Sequence, residues 1–181
     1  MKKDGFTLLE LIVSITIIAL VTGLFLANYG SANRRTDLTM TAQKMVADIH
    51  LAQSYALGLA RYGTSSATYV PTGGWGVRFD LNSLGNNQYV IFADKDGNKK
   101  YDSGEAIEGF GAQATYLPTN ISIYALTVSP ANITFLPPDP ITTIYNGVAS
   151  STSVDIILRD AKTNSIKTVR VNFLGLVEVI D

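Results

Sequence analysis

The chain has 181 residues, with 14 Lys and Arg against 15 Asp and Glu, one histidine and no cysteine. That length holds one domain plus an anchor. The missing cysteine excludes thiol catalysis, CxxC redox chemistry and thiolate zinc sites; the near-neutral balance offers no basic field to hold nucleic acid.

Met1-Lys2-Lys3-Asp4-Gly5 is a short basic leader. From Phe6 to Ala27 follow about 22 mostly apolar residues, enough to cross the roughly 30 Å hydrocarbon core as a helix. Lys2 and Lys3 keep the leader in the cytoplasm by the positive-inside rule and place everything after the span outside. The competing reading is a secretory signal, whose apolar region runs only 7 to 15 residues before a small-x-small site. Here the only passable site, Gly30-Ser31-Ala32, lies beyond a longer run.

Glu10 is the single charge between the leader and Arg34. A carboxylate in the bilayer costs on the order of 3 kcal/mol on insertion scales, and such residues are functional candidates by default. It therefore needs a partner, unless it sits among headgroups or is protonated.

Leu38, Ala42, Met45, Ile49, Ala52, Ala56 and Leu59 recur at alternating steps of four and three, the stripe of an amphipathic helix. Asp37, Thr41, Gln43, Lys44, Asp48 and Gln53 form its polar face. The spacing also fits a coiled-coil seam, but its small residues suit packing on a sheet. Gly58 and Gly63 bracket an end near Arg61 or Tyr62. Counted from Phe6, the helix would hold about 57 residues and run roughly 85 Å.

The remainder is rich in β-branched and aromatic residues with regular turn signals, which predicts an antiparallel sheet domain. Strands are expected at 67–70, 75–80, 88–93, 114–117, 121–126, 132–136, 153–159, 166–173 and 176–180. Residues 160–165 read as a hairpin loop. Residues 137–153, with Pro137-Pro138-Asp139-Pro140 and Asn146-Gly147, read as a flexible excursion. There is no internal repeat and no second domain.

Residues 94–105 place oxygen ligands at calcium-loop spacing: Asp94, Asp96, Asn98, Asp102 and Glu105, with the carbonyl of Lys100 at position 7. Lys99 stands where an EF-hand has glycine, and the flanks read as strands. The alternative is a solvated turn of Asp, Asn and Gly. His50 has no second histidine to complete a site and reads as helix surface. Gly73-Gly74-Trp75-Gly76 lacks the lysine and helix of a phosphate loop and reads as a hairpin turn.

Gly5-Phe6-Thr7-Leu8-Leu9-Glu10, at the mouth of a membrane-length helix, resembles the processing site of type IV prepilins and type II secretion pseudopilins. The resemblance implies cleavage between Gly5 and Phe6 by the membrane-embedded prepilin peptidase and N-methylation of Phe6. It also implies pairing of Glu10 with the terminal amine of its own or a neighbouring subunit. Removing Met1 to Gly5 takes two lysines and one aspartate, leaving 12 basic and 14 acidic residues. The order of long helix, Gly74-Trp75-Gly76-Val77-Arg78-Phe79-Asp80, Asp/Asn/Gly-rich loop, Ile133-Thr134-Phe135 and terminal hairpin looks like H-type minor pseudopilins. Many major pilins have a proline where this chain has Ala27, which leaves any kink to Gly23 or Gly30.

The implied fold is α+β and pilin-like: a leader (1–5), a transmembrane half-helix (6–27), an amphipathic half-helix (28–62) packed on the sheet, and an extracytoplasmic β-rich head (63–181). The implied function is structural and not enzymatic: a minor pilin or pseudopilin of a type IV filament or type II secretion pseudopilus. It would sit in the cytoplasmic membrane as a single-pass protein and then in an extracytoplasmic filament. Its partners would be other pilin-type subunits, the prepilin peptidase, an inner-membrane assembly platform and, before assembly, lipid. No cofactor is required, with calcium the one candidate. A DNA-receptor minor pilin is the alternative, resting on Arg159, Lys162, Lys167 and Arg170. Residues 173–178 carry Leu and Glu where such receptors place arginines, so nucleic acid is not an expected partner. A membrane-tethered hydrolase is a third reading, which would require paired catalytic groups in a cleft.

Overall fold

A computed structural model describes residues 7–64, 67–105, 114–137 and 141–180. Gly5 and Phe6, the expected cleavage pair, lie outside these residues. The layout is α+β, one long helix followed by antiparallel strands, consistent with a pilin-like fold. The chain divides into two compact units, Met1–Asp37 and Leu38–Asp181.

The first unit holds the opening turns of α1 (Leu8–Leu57). Its stretch Leu8–Leu26 is long and apolar enough to cross a membrane, and its large apolar side chains are all exposed. Two hydroxyls within it are satisfied by the helix's own carbonyls, as a lipid environment favours. Ser14 Oγ donates to the Glu10 carbonyl at 2.7 Å and Thr16 Oγ1 to the Ile12 carbonyl at 2.8 Å.

In the second unit, the later turns of α1 bury Leu38, Ala42, Met45, Ile49, Ala52 and Ala56 in the core, six of the seven stripe positions. Leu59 is exposed, because α1 ends at Leu57 and not near Tyr62. The Ala60 amide bonds the Tyr55 carbonyl and the Leu59 amide the Ala56 carbonyl, with Leu59 at φ 50°. This is a Schellman closure, whose left-handed residue is usually glycine. Here leucine takes that place and Gly58 lies one residue too early to mark it.

The strands are β1 (Tyr62–Thr64), β2 (Ala67–Tyr69), β3 (Gly74–Phe79), β4 (Gln88–Asp94), β5 (Thr115–Tyr116) and β6 (Ile121–Leu126), then β7 (Ala131–Leu136), β8 (Ile141–Tyr145), β9 (Ser150–Ser151), β10 (Ser153–Asp160), β11 (Ile166–Asn172) and β12 (Val177–Ile180). They form a β1-β2 hairpin, a four-stranded sheet ordered β12-β11-β10-β6 and a six-stranded sheet ordered β5-β4-β3-β7-β8-β9. Alternation along β10 buries Val154, Ile156 and Leu158, the period-two signature of a half-buried strand.

Of the expected excursion at 137–153, residues 138–140 lie outside the described residues, and those from 141 on form strands. Ile141-Thr-Thr-Ile-Tyr pairs with β7 and buries Thr142 and Ile144. Asn146 turns the chain into β9, its Oδ1 accepting the Val148 and Ala149 amides. The prolines before β8 masked an alternating strand.

Three long-range hydrogen bonds fasten α1 and its exit without disulfides. Tyr89 Oη donates to Asp48 at 2.5 Å, Gln53 Nε2 to the Gly175 carbonyl at 2.6 Å, and Trp75 Nε1 to the Ala60 carbonyl at 3.1 Å. Burial, reinforced by the Asp48 charge, pushes the Tyr89 pKa well up, which keeps its hydroxyl a donor.

Candidate functional site

The first turn of α1 is organised by Thr7 and Glu10. Thr7 Oγ1 accepts the Glu10 amide at 3.3 Å, while a Glu10 carboxylate oxygen accepts the Thr7 amide at 3.1 Å and the Thr7 hydroxyl at 2.9 Å. This reciprocal arrangement is a capping box, satisfying amides that have no partner within the helix. Thr7-x-x-Glu10 has the sequence spacing of such a box. The carboxylate is thereby held at the end of α1 where the chain enters from Phe6.

The acidic loop begins where β4 ends. Asp94 is fully buried, its carboxylate accepting the Gly97 and Lys99 amides, each at 2.8 Å. It lies directly against Gly73: a Cβ there would fall 2.0 Å from Asp94 Oδ2. The neighbouring Gly74 has φ 81°, so the glycine pair turns the chain and seats the carboxylate. At the loop's far end Glu105, also buried, accepts the Lys95 amide at 2.9 Å and the Asp102 amide at 2.8 Å.

One carboxylate oxygen from each of Asp94, Asp96 and Glu105 lies within 4.8 Å of the others. Burial raises the pKa of Asp94, and the Asp96 charge adds to it; Glu105 is raised by burial first, then by Asp94 and Asp96. Three converging carboxylates in a partly desolvated setting favour uptake of a cation or a proton.

The other expected ligands are arranged differently. Asn98 spends its amide on Asp96 at 2.9 Å and Asp102 at 2.5 Å, and its Oδ1 on the Lys100 amide. Lys100, whose carbonyl is the expected ligand, brings its ammonium to 3.7 Å from Asp102. Lys99, at the position an EF-hand gives to glycine, adopts φ 66°, so the backbone makes the turn at a cost of about 1–2 kcal/mol. Lys95 closes the loop onto its own far side, its ammonium donating to the Gly104 carbonyl and lying 5.3 Å from the Tyr62 ring.

A polar clamp that spacing did not reveal holds this loop to the sheet. Asn132, fully buried on β7, accepts the Tyr101 amide at 3.1 Å and Arg78 Nη1 at 3.2 Å, and donates to the Tyr145 carbonyl at 2.9 Å. Arg78 also donates to Asp80 at 2.5 Å. Burial opposes ionisation of Asp80, but hydrogen bonds from Ser83, Asn82 and Arg78 prevail and hold its pKa below the usual carboxylate value.

The four basic residues near the last hairpin do not form one surface. Successive strand residues face opposite ways, so Lys167, opposite buried Leu158, and Arg170, opposite Asp155, lie on different faces of the sheet. Arg170 grips Asp155 with two bonds of 2.7 and 2.9 Å, and Glu178 stands across from it on β12. Arg159 stacks 4.1 Å over the Tyr124 ring, and Lys162 lies in the turn between β10 and β11. His50 is exposed on α1 and bonds Gln53 at 2.7 Å.

Residues 1–26 match the model of the prokaryotic N-terminal methylation motif. Comparison with curated proteins and with solved structures finds no match.

Proposed function

We propose that the chain is a prepilin whose mature form is a structural subunit, a minor pilin or pseudopilin, of a type IV filament or type II secretion pseudopilus. The observation that carries this reading is the methylation motif over residues 1–26 opening a membrane-length helix whose later turns enter the core of a β-rich head. The motif supports processing by a prepilin peptidase and assembly with other pilin-type subunits. In this reading cleavage after Gly5 frees the Phe6 amine for methylation, and Glu10 supplies the opposing charge. The head lies outside the cytoplasm, lipid surrounds the span before assembly, and an inner-membrane platform drives polymerisation. The work is structural and calls for no catalysis.

The test is intact mass spectrometry of the protein from cells with and without an active prepilin peptidase. A mass beginning at methylated Phe6, dependent on the peptidase, supports the reading; an intact Met1 terminus in both overturns it.

Calcium at the Asp94–Glu105 loop forms a second part of the proposal. Its support is the convergence of Asp94, Asp96 and Glu105, two of them buried, together with hard oxygen donors of the kind calcium prefers. Asn98 and Asp102 would contribute only by giving up their present side-chain hydrogen bonds, and Lys100 would contribute its backbone carbonyl. The DNA-receptor alternative loses ground because Arg170 is paired and Arg159 is stacked.

A further inference from the structure

The sequence contains two Asn-x-Ser/Thr tripeptides, Asn120-Ile121-Ser122 and Asn132-Ile133-Thr134. This tripeptide is the acceptor pattern for N-linked glycans and belongs on surface loops of exported proteins. It also arises by chance, so placement in the fold is what separates an acceptor from a coincidence.

The two asparagines are placed oppositely. Asn132 is fully buried, and both ends of its amide are committed to Arg78, Tyr101 and Tyr145. No enzyme reaches it in the folded protein. Asn120 is exposed at the third position of a turn that the Ile121 amide closes on the Pro118 carbonyl at 2.8 Å. Its own carbonyl accepts the Ala161 amide at 2.9 Å, and Ile121 is buried, so the backbone is fixed while the carboxamide faces solvent. Among the described residues no hydrogen bond holds that carboxamide. Turns of this kind tolerate bulk at their central residues because nothing packs on them.

We propose that Asn120 is an N-glycan acceptor. Asn120 Nδ2 would form a bond to the anomeric carbon of an oligosaccharide carried on a polyprenyl pyrophosphate. The bond from that carbon to the pyrophosphate oxygen breaks, the lipid pyrophosphate departs and the amide loses one proton. The proposal rests on the reading that places the head outside the cytoplasm, where such lipid-linked donors are used.

The experiment takes the full chain from its native membranes in detergent and maps its peptides by mass spectrometry. The Asn120 peptide is expected to carry a saccharide mass that disappears in Asn120→Gln and in Ser122→Ala, persists in Ser122→Thr, and is absent from the Asn132 peptide. An unmodified Asn120 peptide, or a modification that survives Ser122→Ala, overturns the proposal. Because the chain has no cysteine, Val148→Cys, at an exposed turn, reports topology separately with a membrane-impermeant maleimide. Labelling from outside together with unmodified Asn120 defeats the glycan proposal alone; failure to label from outside defeats the topology and the proposal with it.

Discussion

Thr7 and Glu10 cap one another: the hydroxyl of one accepts the amide of the other, and the carboxylate returns the bond at 3.1 Å. Glu10 therefore has a local partner, which lowers the cost of carrying a carboxylate into the span, and its charge remains for a terminal amine. Glu10→Gln keeps the acceptor for the cap and removes the charge, whereas Glu10→Val removes both. Both variants should insert normally and both should fail to enter filaments. Normal assembly of the Gln variant, scored by filament shearing and immunoblot, would show that the hydrogen bonds matter and the charge does not.

Replacing Gly5 by a bulky residue should leave the precursor uncut. The readout is gel mobility and intact mass in a peptidase-positive strain. Accumulation of a mature form from Gly5→Trp would place the cut elsewhere.

Calcium should raise the melting temperature of the detergent-solubilised chain relative to chelator. With calcium at about a hundred times Kd, mass action contributes roughly 2.7 kcal/mol, or on the order of 5–10 °C for a domain of this size. Glu105→Ala should abolish the difference. The pH dependence follows from the raised pKa of Asp94 and Glu105. The metal-free fold binds protons more readily than the unfolded chain, so its stability falls as pH climbs above the ordinary carboxylate range. The calcium increment should accordingly grow toward neutral pH; an increment that is flat or shrinking argues for the plain turn.

Duplex DNA should bind weakly or not at all at about 150 mM salt. Affinity of that kind depends on cations free to neutralise phosphates, and Arg170 is held between Asp155 and Glu178. Micromolar retardation in a mobility shift, lost on Lys167→Ala plus Arg170→Ala, would put the uptake reading first.

Asp80→Asn should destabilise the head by about 3 kcal/mol, the lower end for breaking a buried ion pair, since it leaves the largely buried Arg78 without its counterion. Asp80 is held below its usual pKa, so its contribution is present above about 3.8 and lost as pH falls through the depressed value. Urea titrations should show a shallower loss of stability on acidification in the variant than in the parent. Parallel acid limbs would contradict the assignment.

What the sequence made legible followed periodicity. The α1 stripe stood out because steps of three and four repeat without interruption from Leu38 to Ala56, and β6 was bounded correctly by Pro118 before it and the turn after it. The end of α1 was misplaced because a leucine takes the left-handed position that glycine normally marks. β8 was hidden by prolines that end one residue before it. In the acidic loop, spacing brought Asp94, Asp96 and Glu105 together, but the Arg78–Asn132 clamp joins residues 54 apart, and only strand pairing produces it. The supposed basic cluster failed for an equally simple reason: three residues along a strand reverse the face.

The contact between Gly73 and Asp94 has a consequence for how such chains diverge. Any side chain at 73 would occupy the space of the Asp94 carboxylate, so a change at 73 depends on what stands at 94. A relative that acquires a side chain at 73 must already have shortened or lost the acid at 94, and with it the centre of the loop's oxygen cluster. A side chain at 73 thus marks, in sequence alone, chains that have given up this arrangement.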